Sequence, residues 1–103
     1  MRLRALPEVS DDIAKAANWY RKERPDLGIE FIEDVYVFLE DIFATPLTRR
    51  LVYKEYRRGI MHRFPYAVYY RVSKDEVVIS LVRHTARNPA TIRRILRSRE
   101  KLS

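Results

Sequence analysis

Two histidines, His62 and His84, and a group of arginines near them are the residues in this 103-residue sequence best suited to chemistry on a polyanion. Cutting a ribose-phosphate chain without a metal needs a base for the 2′-hydroxyl, cations for the in-line phosphate and an acid for the leaving oxygen. His62, His84, Arg57, Arg63, Arg83 and Arg87 have the right types. Tyr66, Tyr69 and Tyr70 offer rings on which bases stack. The plainer expectation is that a strand histidine makes structural hydrogen bonds and that tyrosines at strand spacing pack a core. Metal catalysis is disfavoured, because the second half offers only Glu55, Asp75, Glu76 and Glu100 as carboxylates, with Asp75 and Glu76 in a predicted turn. The absence of cysteine excludes thiolate zinc sites, thiol nucleophiles and disulfides. With only Gly28 and Gly59 as glycines, no phosphate-cradling loop or dinucleotide fingerprint is possible. No cofactor or metal is expected.

Charge is unevenly placed. The net charge of +7 divides into −4 over residues 1–48 and +11 over residues 49–103. Such asymmetry points to a polyanionic partner, either nucleic acid or an acidic protein segment, against the bland alternative of a cationic surface that serves solubility. No apolar run reaches the ~20 residues of a membrane span and no leader opens the chain, so a soluble cytoplasmic protein without membrane contact is expected.

The elements that must hold these residues follow from periodicity. Residues 2–6 alternate as a short strand that Pro7 interrupts. Ser10-Asp11-Asp12 supplies a cap and first-turn acids for a helix carrying Ile13, Ala16, Ala17 and Tyr20, which Pro25 ends. A second helix runs from near Asp26 to Thr45-Pro46, with Leu27, Phe31, Ile32, Val35, Phe38, Leu39, Ile42 and Phe43 as its apolar face. A link of two or three residues makes the pair an antiparallel hairpin, its acids (Glu23, Glu30, Glu33, Asp34, Glu40, Asp41) forming a solvated outer face. Segments 52–57 and 59–64 are one bent strand or two short ones, with Gly59 at a turn or bulge. Tyr66–Val72 and Val77–Arg83 form a β-hairpin about the turn 73–76, with Tyr66, Val68, Tyr70 and Val72 on one face. After Pro89, residues 90–101 form a basic helix or tail in which Arg93, Arg94, Arg97, Arg99 and Lys101 surround a narrow stripe of Ile92, Ile95 and Leu96. That helix is marginal unless it docks. The expectation is a single α+β domain over 1–103, β-α-α-β-β-β with a possible C-terminal helix, the helical hairpin packed on a mainly antiparallel sheet of three or four strands.

Several of these segments together resemble the RelE/ParE superfamily of bacterial type II toxins. The resemblance rests on Ala16-Ala17-Asn18-Trp19-Tyr20, on Pro25-Asp26-Leu27-Gly28 with Phe31, on Arg63-Phe64-Pro65-Tyr66-Ala67-Val68-Tyr69-Tyr70, and on Arg83-His84 followed by Arg87-Asn88-Pro89. It is closest to the ParE-like branch. The resemblance implies a bacterial toxin neutralised by a cognate antitoxin, and for this branch inhibition of DNA gyrase rather than ribosome-dependent mRNA cleavage. RelE-like nucleases carry an arginine after the first tyrosine of the third-strand motif, where this sequence has Ala67. They also carry a late tyrosine, and here none follows Tyr70. The implied reading is a non-nuclease toxin whose target or antitoxin contacts are Arg57, Arg63, Arg83, His84, Arg87, Arg93, Arg94 and Arg97. The expected antitoxin segment is acidic and folds on binding. The alternatives are a RelE-like ribosome-dependent mRNA endonuclease, whose catalytic trio would be Arg63, His84 and Arg87, and a non-toxic partner-binding module.

Overall fold

Pro7 ends the first strand, as expected, and also opens a helix. The computed structural model describes residues 1–102, with side chains through Glu100. Strand β1 spans Arg2–Ala5 and helix α1 spans Pro7–Glu23. Leu6 is extended (φ −63°, ψ 149°), and proline at the first helical position has no N–H to waste. The helix thus starts before the Ser10-Asp11-Asp12 signal, and Ser10 Oγ donates to the Pro7 carbonyl at 3.1 Å instead of capping. Asp12, expected as a first-turn acid, lies beyond the first turn and on the buried face.

Arg24 alone links α1 to α2 (Pro25–Ala44), its N–H donating to Tyr20 O at 3.0 Å. Gly28 permits the close approach of the two helices. A Cβ there would lie 2.9 Å from the Ala17 carbonyl oxygen and 3.1 Å from Arg21 Cβ. Phe31, Val35, Phe38, Leu39 and Ile42 face inward, whereas Ile32, placed on the apolar face by spacing, is 37% exposed.

The sheet has five strands in the order β1-β5-β4-β3-β2, with β1 parallel to β5 and all other neighbours antiparallel. The extra strand beyond expectation arises because the segment after residue 50 folds back on itself as β2 (Leu51–Tyr53) and β3 (Tyr56–Ile60). The turn is at Lys54-Glu55, where Lys54 takes φ 47°, and not at Gly59. Gly59 sits within β3, where a Cβ would meet Phe38 Cζ at 2.9 Å and the Arg49 side chain at 3.0 Å. Strands β4 (Tyr66–Ser73) and β5 (Glu76–His84) form the expected hairpin through Lys74-Asp75. Its register shifts between Tyr69 and Tyr70, which pair with Leu81 and Ile79 and leave Ser80 as the extra residue.

Alternation along β4 feeds two cores. Val68 and Tyr70 join Phe31, Val35, Ile42, Val77, Ile79 and Val82 under the helical hairpin, while Tyr66 and Val72 pack at its margin. Ala67 and Tyr69 point the other way, into a second core with Tyr56, Leu81, Ile92 and Leu96. The last two belong to α3 (Pro89–Leu102), so the basic C-terminal segment is a docked helix and the sheet is covered on both faces. Asn88 Oδ1 accepts the Ala90 N–H at 2.7 Å and starts this helix. The side chain of Lys101, expected beside the stripe, lies outside the described residues.

Candidate interaction site

Ion pairing sorts the cations into two groups. Glu30 pairs with Arg63 and, at 3.7 Å, with Arg24; Asp34 lies 3.7 Å from Arg63. Asp41 meets Arg49 at 2.8 Å, and Glu76 meets Arg4 at 3.1 Å and Arg2 at 3.7 Å. Hydrogen bonding from Arg63 holds the Glu30 carboxyl below the usual carboxylate range, against a smaller effect of burial. Glu30, Asp34 and Asp41 therefore clamp α2 to the sheet side rather than form a merely solvated face. Among the described residues, Arg58, Arg83, Arg87, Arg93 and Arg94 have no acidic partner within salt-bridge distance. Two further cations serve the fold. Arg57 Nη1 donates to the carbonyls of Arg49 (2.6 Å) and Leu47 (3.3 Å), and Arg97 Nη1 donates to the Tyr53 hydroxyl at 3.3 Å. That bond from Arg97 is the main cause that lowers the Tyr53 phenol below its ordinary value.

Of the unpaired cations, Arg58, Arg83 and Arg93 gather around Arg87, in the loop between β5 and α3. On one side a cleft of about 550 Å³ opens between α1 and the ends of β4 and β5, walled by Trp19, Tyr20, Tyr66, His84 and Arg87. A smaller recess of about 210 Å³ shares Trp19, Tyr66, His84 and Arg87 and adds Lys15 and Arg83. On the α3 side a third cleft, about 410 Å³, is lined by Tyr53, Arg58, Tyr69, Arg87 and Arg93. Arg87 is common to all three. Tyr66 packs edge-on to His84 at 5.3 Å between centroids. Burial raises the Tyr66 phenol above its ordinary value, with the nearby charges of Arg87 and Arg83 opposing that rise.

His84 has its proton arrangement fixed by the backbone. Its Nδ1 accepts the Ala86 N–H at 3.0 Å, so the lone pair is taken and the neutral ring presents only Nε2–H. In this arrangement it is a hydrogen-bond donor and not a base. The trio Arg63, His84 and Arg87 is also not brought together. Arg63 and His62 line a separate cleft of about 320 Å³ beside Asp34, Val37 and Phe38, and Arg63 is held there by α2 carboxylates. Trp19, Lys15, Arg58 and Tyr53 belong to the Arg87 clefts but were not among the expected contacts. Trp19 carried a signal: it lies off the Ile13-Ala16-Ala17-Tyr20 stripe, and an indole left 58% exposed is available to a partner.

Residues 3–89 match the family model described as "ParE toxin of type II toxin-antitoxin system, parDE". The chain belongs to the ParE toxin family. Its sequence is 29% identical over 100 residues to Toxin ParE2 of Mycobacterium tuberculosis, covering 88% of each chain, in two strains of that organism. A solved chain described as "Chromosomal ParDE TA system from P. aeruginosa" shares its fold, with TM-score 0.75 and 16% identity over 82% of this chain and 95% of that one. As a ParE toxin it is the toxin component of a type II toxin-antitoxin system, and ParE toxins pair with cognate antitoxins. The family match ends at Pro89, the first residue of α3, so Arg93, Arg94 and Arg97 lie beyond the matched span. Among the described residues no helix is long and apolar enough to cross a membrane.

Proposed function

We propose that this ParE toxin acts in the bacterial cytoplasm by inhibiting DNA gyrase, and that the unpaired cationic surface around Arg87 makes the toxic contact. The observation that supports this reading is the segregation of charge. Arg24, Arg49 and Arg63 are paired with carboxylates of α2, whereas Arg58, Arg83, Arg87, Arg93 and Arg94 have no such internal partner among the described residues and can meet an external acidic surface. Unpaired cations speed encounter and select an anionic partner, while the exposed Trp19 and the Tyr53–Tyr69 cleft supply the apolar contact on which affinity depends. The same surface suits an acidic antitoxin segment that folds on binding, so that neutralisation works by occupying the contact.

Induction in growing cells tests the target. The proposal predicts growth arrest with relaxation of a supercoiled reporter plasmid while a translated reporter mRNA stays intact. Arrest with cleaved mRNA and unchanged supercoiling would replace gyrase with the ribosome. Continued growth with confirmed soluble expression would reduce the protein to a partner-binding module.

A further inference from the structure

The recess behind Arg87 has an unusual balance of hydrogen-bonding groups. Lys15, Arg83 and Arg87 line it as cations, and His84 contributes a ring whose free nitrogen carries a proton. Arg83 Nε is buried with no hydrogen-bond partner. The one carboxylate in the wall, Asp12, is committed to Arg99, both oxygens accepting from it at 2.7 and 2.8 Å, and Oδ2 also accepts the Val82 N–H at 3.0 Å. Nearby carbonyls are also taken, Pro65 O by the Thr85 N–H at 2.9 Å and His84 O by the Arg87 N–H at 3.2 Å. Such a recess offers more donors than free acceptors. An unsatisfied buried guanidinium N–H is costly until an acceptor arrives, so an anion is the complement of this wall.

The adjoining cleft adds flat aromatic surface. Trp19 stands edge-on to Tyr20 at 5.1 Å and remains exposed, and Tyr66 closes the opposite part of the wall against His84. At about 550 Å³ the cleft lies within the ordinary range of small-ligand sites, ~300–1,000 Å³. We infer that the Trp19–Tyr66–Arg87 cleft binds a nucleoside monophosphate, its base against Trp19 and its phosphate on Lys15, Arg83 and Arg87. This ligand site is separate from the choice of gyrase as target and requires no catalysis.

Trp19 is the sole tryptophan, so its fluorescence reports on this site alone. Adenosine 5′-monophosphate titrated into the purified full chain is expected to quench it saturably. Adenosine without phosphate should bind at least ~10-fold more weakly, and Arg87→Ala and Lys15→Ala should each weaken the nucleotide by ~5–10-fold, where tenfold corresponds to ~1.4 kcal/mol. Both side chains are exposed, and an unchanged thermal melt would show each variant folded. No saturable quench up to ~10 mM nucleotide, or unchanged binding in both variants, would overturn the site. Equal binding by an unphosphorylated trinucleotide would assign the cleft to a nucleic-acid strand, and equal binding by an oligoglutamate peptide to an acidic chain; either outcome also rejects the mononucleotide. Because no gyrase is present, these results stand whether or not the toxin inhibits that enzyme.

Discussion

Arg99 in α3 and Asp12 in α1, 87 residues apart, form a two-pronged ion pair across the edge of β5, with Nη1–Oδ2 at 2.7 Å and Nη2–Oδ1 at 2.8 Å. The pair fills a gap in the sheet. Strand β1 runs beside β5 only as far as Ala5 opposite Ile79, which leaves the next peptides of β5 without a strand on that side. Asp12 Oδ2 accepts the Val82 N–H, and Arg99 Nη1 donates to the Ser80 carbonyl at 3.0 Å. Two side chains thereby replace a missing strand, and they also tie α3 to the rest of the molecule.

Removing one partner leaves the other buried and unpaired, because side-chain exposure is only 6% for Asp12 and 13% for Arg99. Arg99→Ala is expected to cost about 3 kcal/mol, read as a lower midpoint in urea unfolding. Joint replacement by Asp12→Asn and Arg99→Met should cost less than the sum of the two single changes. Strict additivity would show that the two residues act independently.

Gly28→Ala is expected to destabilise the protein although alanine is the better helix former by ~1 kcal/mol. The new Cβ would meet a backbone oxygen of Ala17 at 2.9 Å, and only separation of α1 from α2 relieves that contact. Overpacking of this kind costs about 1–3 kcal/mol, measured as a fall in melting temperature. A rise would mean that the two helices are free to part.

Stability should fall at both ends of the pH scale, for different reasons. Hydrogen bonds chiefly from Arg63 and Arg4 lower the carboxyl pKa values of Glu30 and Glu76 from the ordinary 4.5. Their contribution is present above that value and is lost as pH falls through the lowered folded values. Glu76→Gln should therefore flatten the acid limb of a urea-midpoint profile. Burial raises the phenols of Tyr56, Tyr66 and Tyr70 above 10.0, so their contribution is intact below that pH and disappears as pH rises through the raised values. Tyr70→Phe should flatten the alkaline limb while losing about 1 kcal/mol at neutral pH, because the Tyr70 hydroxyl donates to Pro46 O at 2.7 Å. An alkaline limb unchanged by that substitution would remove Tyr70 from the explanation.

Local pattern showed more of the fold than of the site. The β4–β5 hairpin and the two long helices followed from period and proline placement, since each depends on neighbours in sequence. The Ile92-Ile95-Leu96 stripe was equally visible, but its docking depends on Ala67, Tyr69 and Leu81 forming a second apolar face. The turn at Lys54-Glu55 was hidden because a lysine at φ 47° gives no glycine-like signal. Asp11 and Asp12 look alike in sequence, and only Arg99 from the far end of the chain makes one of them a buried ion-pair partner. Likewise Arg63 and Arg87 looked equivalent until the α2 carboxylates claimed the first. Side chains whose role depends on distant partners were the least legible.

The central claim is that this ParE toxin meets gyrase through the cations left unpaired around Arg87, and inhibition of purified gyrase by purified toxin tests it most directly. Wild-type toxin should block supercoiling, the double variant Arg87→Ala/Arg93→Ala should require at least ~10-fold more protein, and Arg24→Ala, an ion-paired cation outside this surface, should act like wild type. Full supercoiling in the presence of excess wild-type toxin, or equal inhibition by the double variant, would contradict the account.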